Sequence, residues 1–131
     1  NAIAEDRVAF HAGKGVVPWR PEFVNNLNET SIGIELLAIG AASDMAIFMS
    51  PESYAQIRPE YIGFTDAQYD ALIALVDDIC RRHTGISKDR RHIVGHSEYA
   101  PGRRTDPGVL FNWDRLELPR EPGDSLTRQQ P

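Results

Sequence analysis

The chain has 131 residues, 41% hydrophobic and 25% charged, the balance of one ordinary globular domain. Its net charge of −5 argues against the basic stripe of a nucleic-acid surface, and no apolar run is long enough to span a bilayer. The single cysteine, Cys80, excludes an intramolecular disulfide framework and a multi-cysteine zinc site.

In chain order, "RVAFHAGKG" (7–15) reads as a short extended run stopped by Gly13 and Gly15. "VPWRPEFVNNLNE" (17–29), with its prolines and asparagines, reads as surface loop. "TSIGIELLAI" (30–39) is β-branched and alternating, which predicts a strand. Period 2 would put Ile32, Ile34 and Leu36 on one face and Ser31, Gly33 and Glu35 on the other. Residues 41–63 form a long connection in which Ser50-Pro51 can start a helical turn or two and Pro59 stops it.

The strongest element follows. Thr65 and Gln68 have capping-box spacing, and Tyr69, Leu72, Ile73, Val76, Ile79 and Cys80 recur at helical spacing. Arg81 and Arg82 suit the C-terminal end of the helix dipole, and Gly85 ends the helix. Cys80 is then a core residue on the apolar helix face. "RHIVGH" (91–96) reads as a short apolar strand, and Trp113 with Leu116 as a last packed turn. Residues 119–131 are Pro, Gly, Gln and charge, a tail after a domain at 1–118. Strand, helix and strand in this order predict an α/β sheet, although so few strands make a thin core.

"GHSEYAPGRRTDPG" (95–108) carries an imidazole and a carboxylate ten positions apart on a segment that reads as irregular loop. His96 and Asp106 are both good zinc ligands, and a catalytic zinc site needs three protein ligands plus a position for water. Asp106-Pro107-Gly108 is also an ordinary turn sequence, so spacing alone leaves both readings open. Glu35 is the second anomaly, a carboxylate among apolar residues. It is either a solvent-facing strand residue or a base on a cleft face, with Gly33 clearing room for a ligand.

Four segments carry a resemblance: "RVAFHAG", "NLNETSIGIEL", "FTDAQYDALIALV" and "GHSEYAPGRRTDPG". In this order they resemble the type 2 N-acetylmuramoyl-L-alanine amidases, a zinc-hydrolase family that includes cell-wall amidases, anhydro-muropeptide amidases and peptidoglycan recognition proteins. The resemblance runs from about residue 5 to residue 116 and implies a mixed central β-sheet flanked by helices. It implies His96 and Asp106 as the second and third ligands of a Zn2+ ion, and Glu35 as the glutamate that deprotonates the attacking water. Arg104 falls where many members carry a lysine that helps hold the developing oxyanion; an arginine keeps the charge with a different shape. His11, Asn28, Thr30 and Ser97 lie in the matching segments as candidate substrate-groove residues, with His11 alternatively a structural hydrogen-bonding histidine.

The resemblance also implies a first zinc-ligand histidine on an early strand, upstream of "RVAFHAG". Of the four histidines here, His83 and His92 do not match it and His11 is not assigned to it. The expectation is therefore an N-terminally incomplete domain whose remaining segment completes the site. The implied activity is zinc-dependent hydrolysis of the amide between N-acetylmuramic acid and L-alanine in peptidoglycan or muropeptides. The alternative is a non-catalytic peptidoglycan-binding module that lacks one zinc ligand. The expected location is a bacterial cell envelope, periplasmic or secreted, with the cytoplasm as the alternative.

Overall fold

The computed structural model of the chain describes residues 2–119. The described residues divide into two compact units, 2–65 with Gly95–Phe111 and Asp66–Val94 with 112–119. The tail expected at 119–131 lies, but for Pro119, outside the described residues. None of the described helices is long and apolar enough to cross a membrane.

The first unit is built on a hairpin in the segment expected to be loop. Strand β1 (Val16–Val17) pairs antiparallel with β2 (Arg20–Val24), Val17 opposite Arg20 and Val16 opposite Val24. Pro18 and Trp19 make the connection, and Pro21 is tolerated because a two-stranded sheet has only edge strands. Asn25 closes the base at φ 53°, a left-handed conformation that asparagine reaches more readily than most residues. Its N–H donates to the Gly15 carbonyl at 2.8 Å, and its Oδ1 accepts from the Gly15 N–H at 2.9 Å. Gly15 also passes against the backbone of Tyr99, whose carbonyl oxygen would stand 2.1 Å from any Cβ at that position. Tyr99, 1% exposed, is the buried anchor of this unit, and its hydroxyl donates to the Gly13 carbonyl at 3.0 Å.

Residues 30–39 do not form the expected strand. Helix α1 (Leu27–Thr30) runs into Ser31, which is extended at φ −138°, ψ 164°, and no ladder partner follows among the described residues. Only Ile39 makes a bridge, accepting from the Gly63 N–H at 2.8 Å. A strand exists only where a neighbour takes its N–H and C=O groups. Among the described residues none lies along 31–38, and the central sheet is not seen there. The alternation itself persists, since Ser31 and Gly33 both meet the His11 ring. Residues 7–15 likewise have no ladder before Val16 among the described residues.

The connection at 41–63 contains helix α2 (Ala42–Met45), helix α3 (Pro51–Ala55) and a 3-10 turn at Pro59–Tyr61. As the sequence predicts, Ser50 caps α3, its side chain accepting from the Ser53 N–H at 3.1 Å.

In the second unit, helix α4 (Asp66–Arg82) forms where the periodicity places it, with Tyr69, Leu72, Val76 and Ile79 buried along one stripe. The final 3-10 turn, Trp113–Leu116, buries Leu116 and holds Arg115 over the Tyr69 ring at 4.5 Å. Arg115 also bonds Asp66 at 2.8 Å. The strand expected at 91–96 is absent. Residues 91 and 92 form a turn capped by Asp89, whose Oδ1 accepts from the N–H groups of Arg91 and His92 and from His92 Nδ1. Burial would raise the Asp89 carboxyl, but the bonds and charge from His92 and Arg91 outweigh it and hold the group below its ordinary value.

Candidate metal and catalytic site

His96 opens a short helix, α5 (His96–Tyr99), where the sequence suggested irregular loop. Gly95 precedes it in extended conformation, and the Glu98 side chain accepts from the Gly95 N–H at 3.1 Å. The chain then turns through Ala100, whose carbonyl accepts from the N–H groups of Arg103 and Arg104. It returns so that the Ser97 N–H donates to the Asp106 carbonyl at 2.8 Å. This closed loop brings His96 Nδ1 to 3.1 Å from Asp106 Oδ2.

The other ring nitrogen fixes the chemistry of that pair. His96 Nε2 lies 2.9 Å from the Ala12 carbonyl, which can only accept, so Nε2 carries the proton. A neutral His96 therefore presents its Nδ1 lone pair to a carboxylate, and two acceptors face each other across 3.1 Å. A proton on Nδ1 or a cation shared by both groups resolves that opposition. A ring with one nitrogen anchored on a carbonyl and the other free to coordinate is the usual arrangement of a metal-bound histidine. Ligands about 2.0–2.1 Å from a tetrahedral ion stand roughly 3.3 Å apart, close to the observed separation. The pair fits two positions of a nitrogen and oxygen donor set of the kind zinc takes. Among the described residues no group of three His, Cys, Asp or Glu side chains is arranged to hold a metal ion.

The Ala12 carbonyl has a second donor. Arg103 Nη2 reaches it at 2.8 Å and the Lys14 carbonyl at 2.7 Å. Gly13, at φ 69°, lies against the guanidinium, where a Cβ would come to 3.0 Å from Nη2. The sequence sets Arg103 beside Arg104, and the resemblance implies a role for Arg104 alone. The structure separates them. Arg103 is bonded to backbone, whereas Arg104 is exposed and its side chain makes no hydrogen bond or ion pair among the described residues.

Glu35 is exposed, without a hydrogen bond or ion pair among the described residues. Gly33 makes room for an internal group rather than for a ligand: a Cβ there would meet His11 Cδ2 at 2.6 Å. His11 has both ring nitrogens engaged, Nδ1 donating to the Ala9 carbonyl at 2.7 Å and Nε2 pairing with Ser31 Oγ at 2.9 Å. Asn28 Oδ1 accepts from three successive backbone N–H groups, those of His11 at 3.0 Å, Ala12 at 2.8 Å and Gly13 at 3.3 Å. Thr30 Oγ1 donates to the Asn26 carbonyl at 2.8 Å, and Ser97 contributes its N–H to the closed loop.

A sequence profile of the N-acetylmuramoyl-L-alanine amidase family matches residues 1–109. The chain is 35% identical over 114 residues to N-acetylmuramoyl-L-alanine amidase AmiD of Escherichia coli (strain K12), covering 87% of this chain and 35% of that protein. It is 33% identical over 111 residues to 1,6-anhydro-N-acetylmuramyl-L-alanine amidase AmpD of Enterobacter cloacae, covering 85% of this chain and 45% of that one. The AmpD of Haemophilus influenzae is 48% identical over 52 residues, 40% of this chain and 27% of that protein. The chain spans less than half the length of each of these relatives.

Proposed function

The chain belongs to the N-acetylmuramoyl-L-alanine amidase family, and on that premise we propose that it hydrolyses the amide joining N-acetylmuramic acid to L-alanine in peptidoglycan or muropeptides. The observation that carries this reading is the His96–Asp106 pair, with its second ring nitrogen committed to a carbonyl. His96 Nδ1 and the Asp106 carboxylate would hold zinc as two of its ligands. Zinc, when bound, supplies Lewis-acid polarisation of the scissile carbonyl and lowers the pKa of water.

The protein's own residues supply the rest. Glu35 takes a proton from the water that adds to the carbonyl carbon. It returns that proton to the alanine nitrogen as the C–N bond breaks, leaving a carboxylic acid on the lactyl side and an amine on the peptide, and the acid's proton then passes to the amine to give carboxylate and ammonium. Arg104, charged and without an internal partner among the described residues, faces the oxyanion that forms on the way. In this reading residues 1–118 carry the amidase domain. Action on the wall polymer places the enzyme in the cell envelope, and action on soluble muropeptides places it in the cytoplasm.

The test is Glu35→Gln in the full-length protein, assayed on muropeptide with zinc affinity measured in parallel. The rate should fall by about 100-fold or more while zinc affinity and Tm stay at wild-type values. A variant that keeps most of its rate would remove Glu35 from the proton-transfer role.

A further inference from the structure

The segment His11–Lys14 is held from both sides. On one side a single oxygen, Asn28 Oδ1, accepts from the N–H groups of His11, Ala12 and Gly13. On the other, the Ala12 carbonyl accepts from His96 Nε2 and Arg103 Nη2, and the Gly13 carbonyl from the Tyr99 hydroxyl. The Ala12 carbonyl and the Gly13 N–H belong to one planar peptide unit and point in opposite directions from it. Asn28 therefore grips one end of the same rigid plane whose other end orients His96. The grip has work to do, because Gly13 sits at φ 69° and a glycine allows the neighbouring peptide plane to rotate at little cost.

We infer that Asn28 is a positioning residue for metal binding: through the Ala12–Gly13 peptide it keeps the proton of His96 on Nε2 and so leaves Nδ1 as the coordinating atom beside Asp106. The inference rests on the reading of His96 and Asp106 as zinc ligands. It gives Asn28 a role other than substrate contact, since its oxygen is already committed to three backbone donors. The role requires an acceptor at this position and makes no use of the amide NH2. That requirement distinguishes it from a groove residue, which would read substrate with whichever group it has free.

The experiment compares wild type, Asn28→Ala and Asn28→Asp as full-length proteins in two measurements. The first is the 15N shifts of the His96 ring in metal-free protein, which report the tautomer. The second is zinc affinity by chelator competition. Asn28→Asp keeps the acceptor and should hold the Nε2–H tautomer, with zinc affinity within about threefold of wild type. Asn28→Ala should mix the tautomers and weaken zinc by about 10-fold to 100-fold, the range seen when a group supporting a metal ligand is lost. Should Asn28→Ala fail to fold, Asn28→Asp still decides the matter, because loss of the tautomer or of zinc affinity in that variant overturns the inference. An Asn28→Ala protein with wild-type tautomer and zinc affinity but a raised KM also overturns it, in favour of substrate contact. His96→Ala separates the premise from the inference: unchanged zinc affinity there refutes the ligand reading, while the tautomer measurement still judges Asn28.

Discussion

Replacing Gly33 with alanine puts a methyl carbon where the His11 ring now lies, 2.6 Å from Cδ2 and 2.8 Å from Cγ. Carbon atoms prefer separations of about 3.5–4.0 Å, so the ring must retreat by roughly 1 Å. It is not a free end, because Nδ1 is bonded to the Ala9 carbonyl at 2.7 Å and Nε2 to Ser31 Oγ at 2.9 Å. Retreat stretches both bonds, worth about 0.5–1.5 kcal/mol each. Holding position instead costs about 1–3 kcal/mol of overpacking. The alanine returns about 0.4–1 kcal/mol by restricting the unfolded chain. The net loss is then about 0.5–2 kcal/mol, or a fall in Tm of roughly 2–8 °C. The assay is denaturant unfolding of Gly33→Ala, His11→Ala and the double variant. With the ring removed, Gly33→Ala should be neutral or slightly stabilising, giving a coupling of about 1–3 kcal/mol. Equal costs in both backgrounds, within about 0.5 kcal/mol, would refute the packing of His11 on Gly33.

Gly15→Ala should be more damaging, since its Cβ would stand 2.1 Å from the Tyr99 carbonyl oxygen and 2.8 Å from its carbon, backbone that cannot swing aside. A loss of roughly 3 kcal/mol is expected, and an unchanged denaturation midpoint would contradict the approach of the hairpin to α5. Asp89→Ala removes the acceptor for two backbone N–H groups and His92 Nδ1, and should cost about 1–2 kcal/mol at neutral pH. Because the folded Asp89 carboxyl lies below its ordinary value of 3.8, its contribution is present above that value and is lost as pH falls through the folded value. The difference in stability between wild type and Asp89→Ala should therefore shrink below about pH 4, and a gap that widens on acidification would contradict the assignment.

Helix α4 was legible because its evidence is local: Tyr69, Leu72, Val76 and Ile79 repeat at helical spacing and are buried together. The alternation at 31–35 was legible too, and Ser31 and Gly33 do share a face toward His11. What alternation cannot supply is a ladder partner, so the strand predicted there is extended chain in the structure. The hairpin was missed for the opposite reason. Pro18 and Pro21 read as loop, yet one sits in the connection and the other on an edge strand where no N–H is required. In the candidate site, His96, Asp106 and Glu35 stood out by residue type and position, but spacing left ligand against turn and base against surface residue open, and the resemblance of whole motifs favoured the functional readings. The part played by Asn28 had no local signal, because its partners are backbone groups 15, 16 and 17 residues away. Arg103 was equally hidden, its carbonyl partners lying 89 and 91 residues earlier in the chain.

The central claim is that His96 and Asp106 hold one zinc ion. Chelator-competition titration of full-length wild type, His96→Ala and Asp106→Ala tests it most directly. Wild type should bind zinc stoichiometrically and tightly, and each variant at least tenfold more weakly, with hydrolysis lost in step. Wild-type stoichiometry and affinity in Asp106→Ala would contradict it, and would return the segment from Thr105 to Gly108 to the role of a turn.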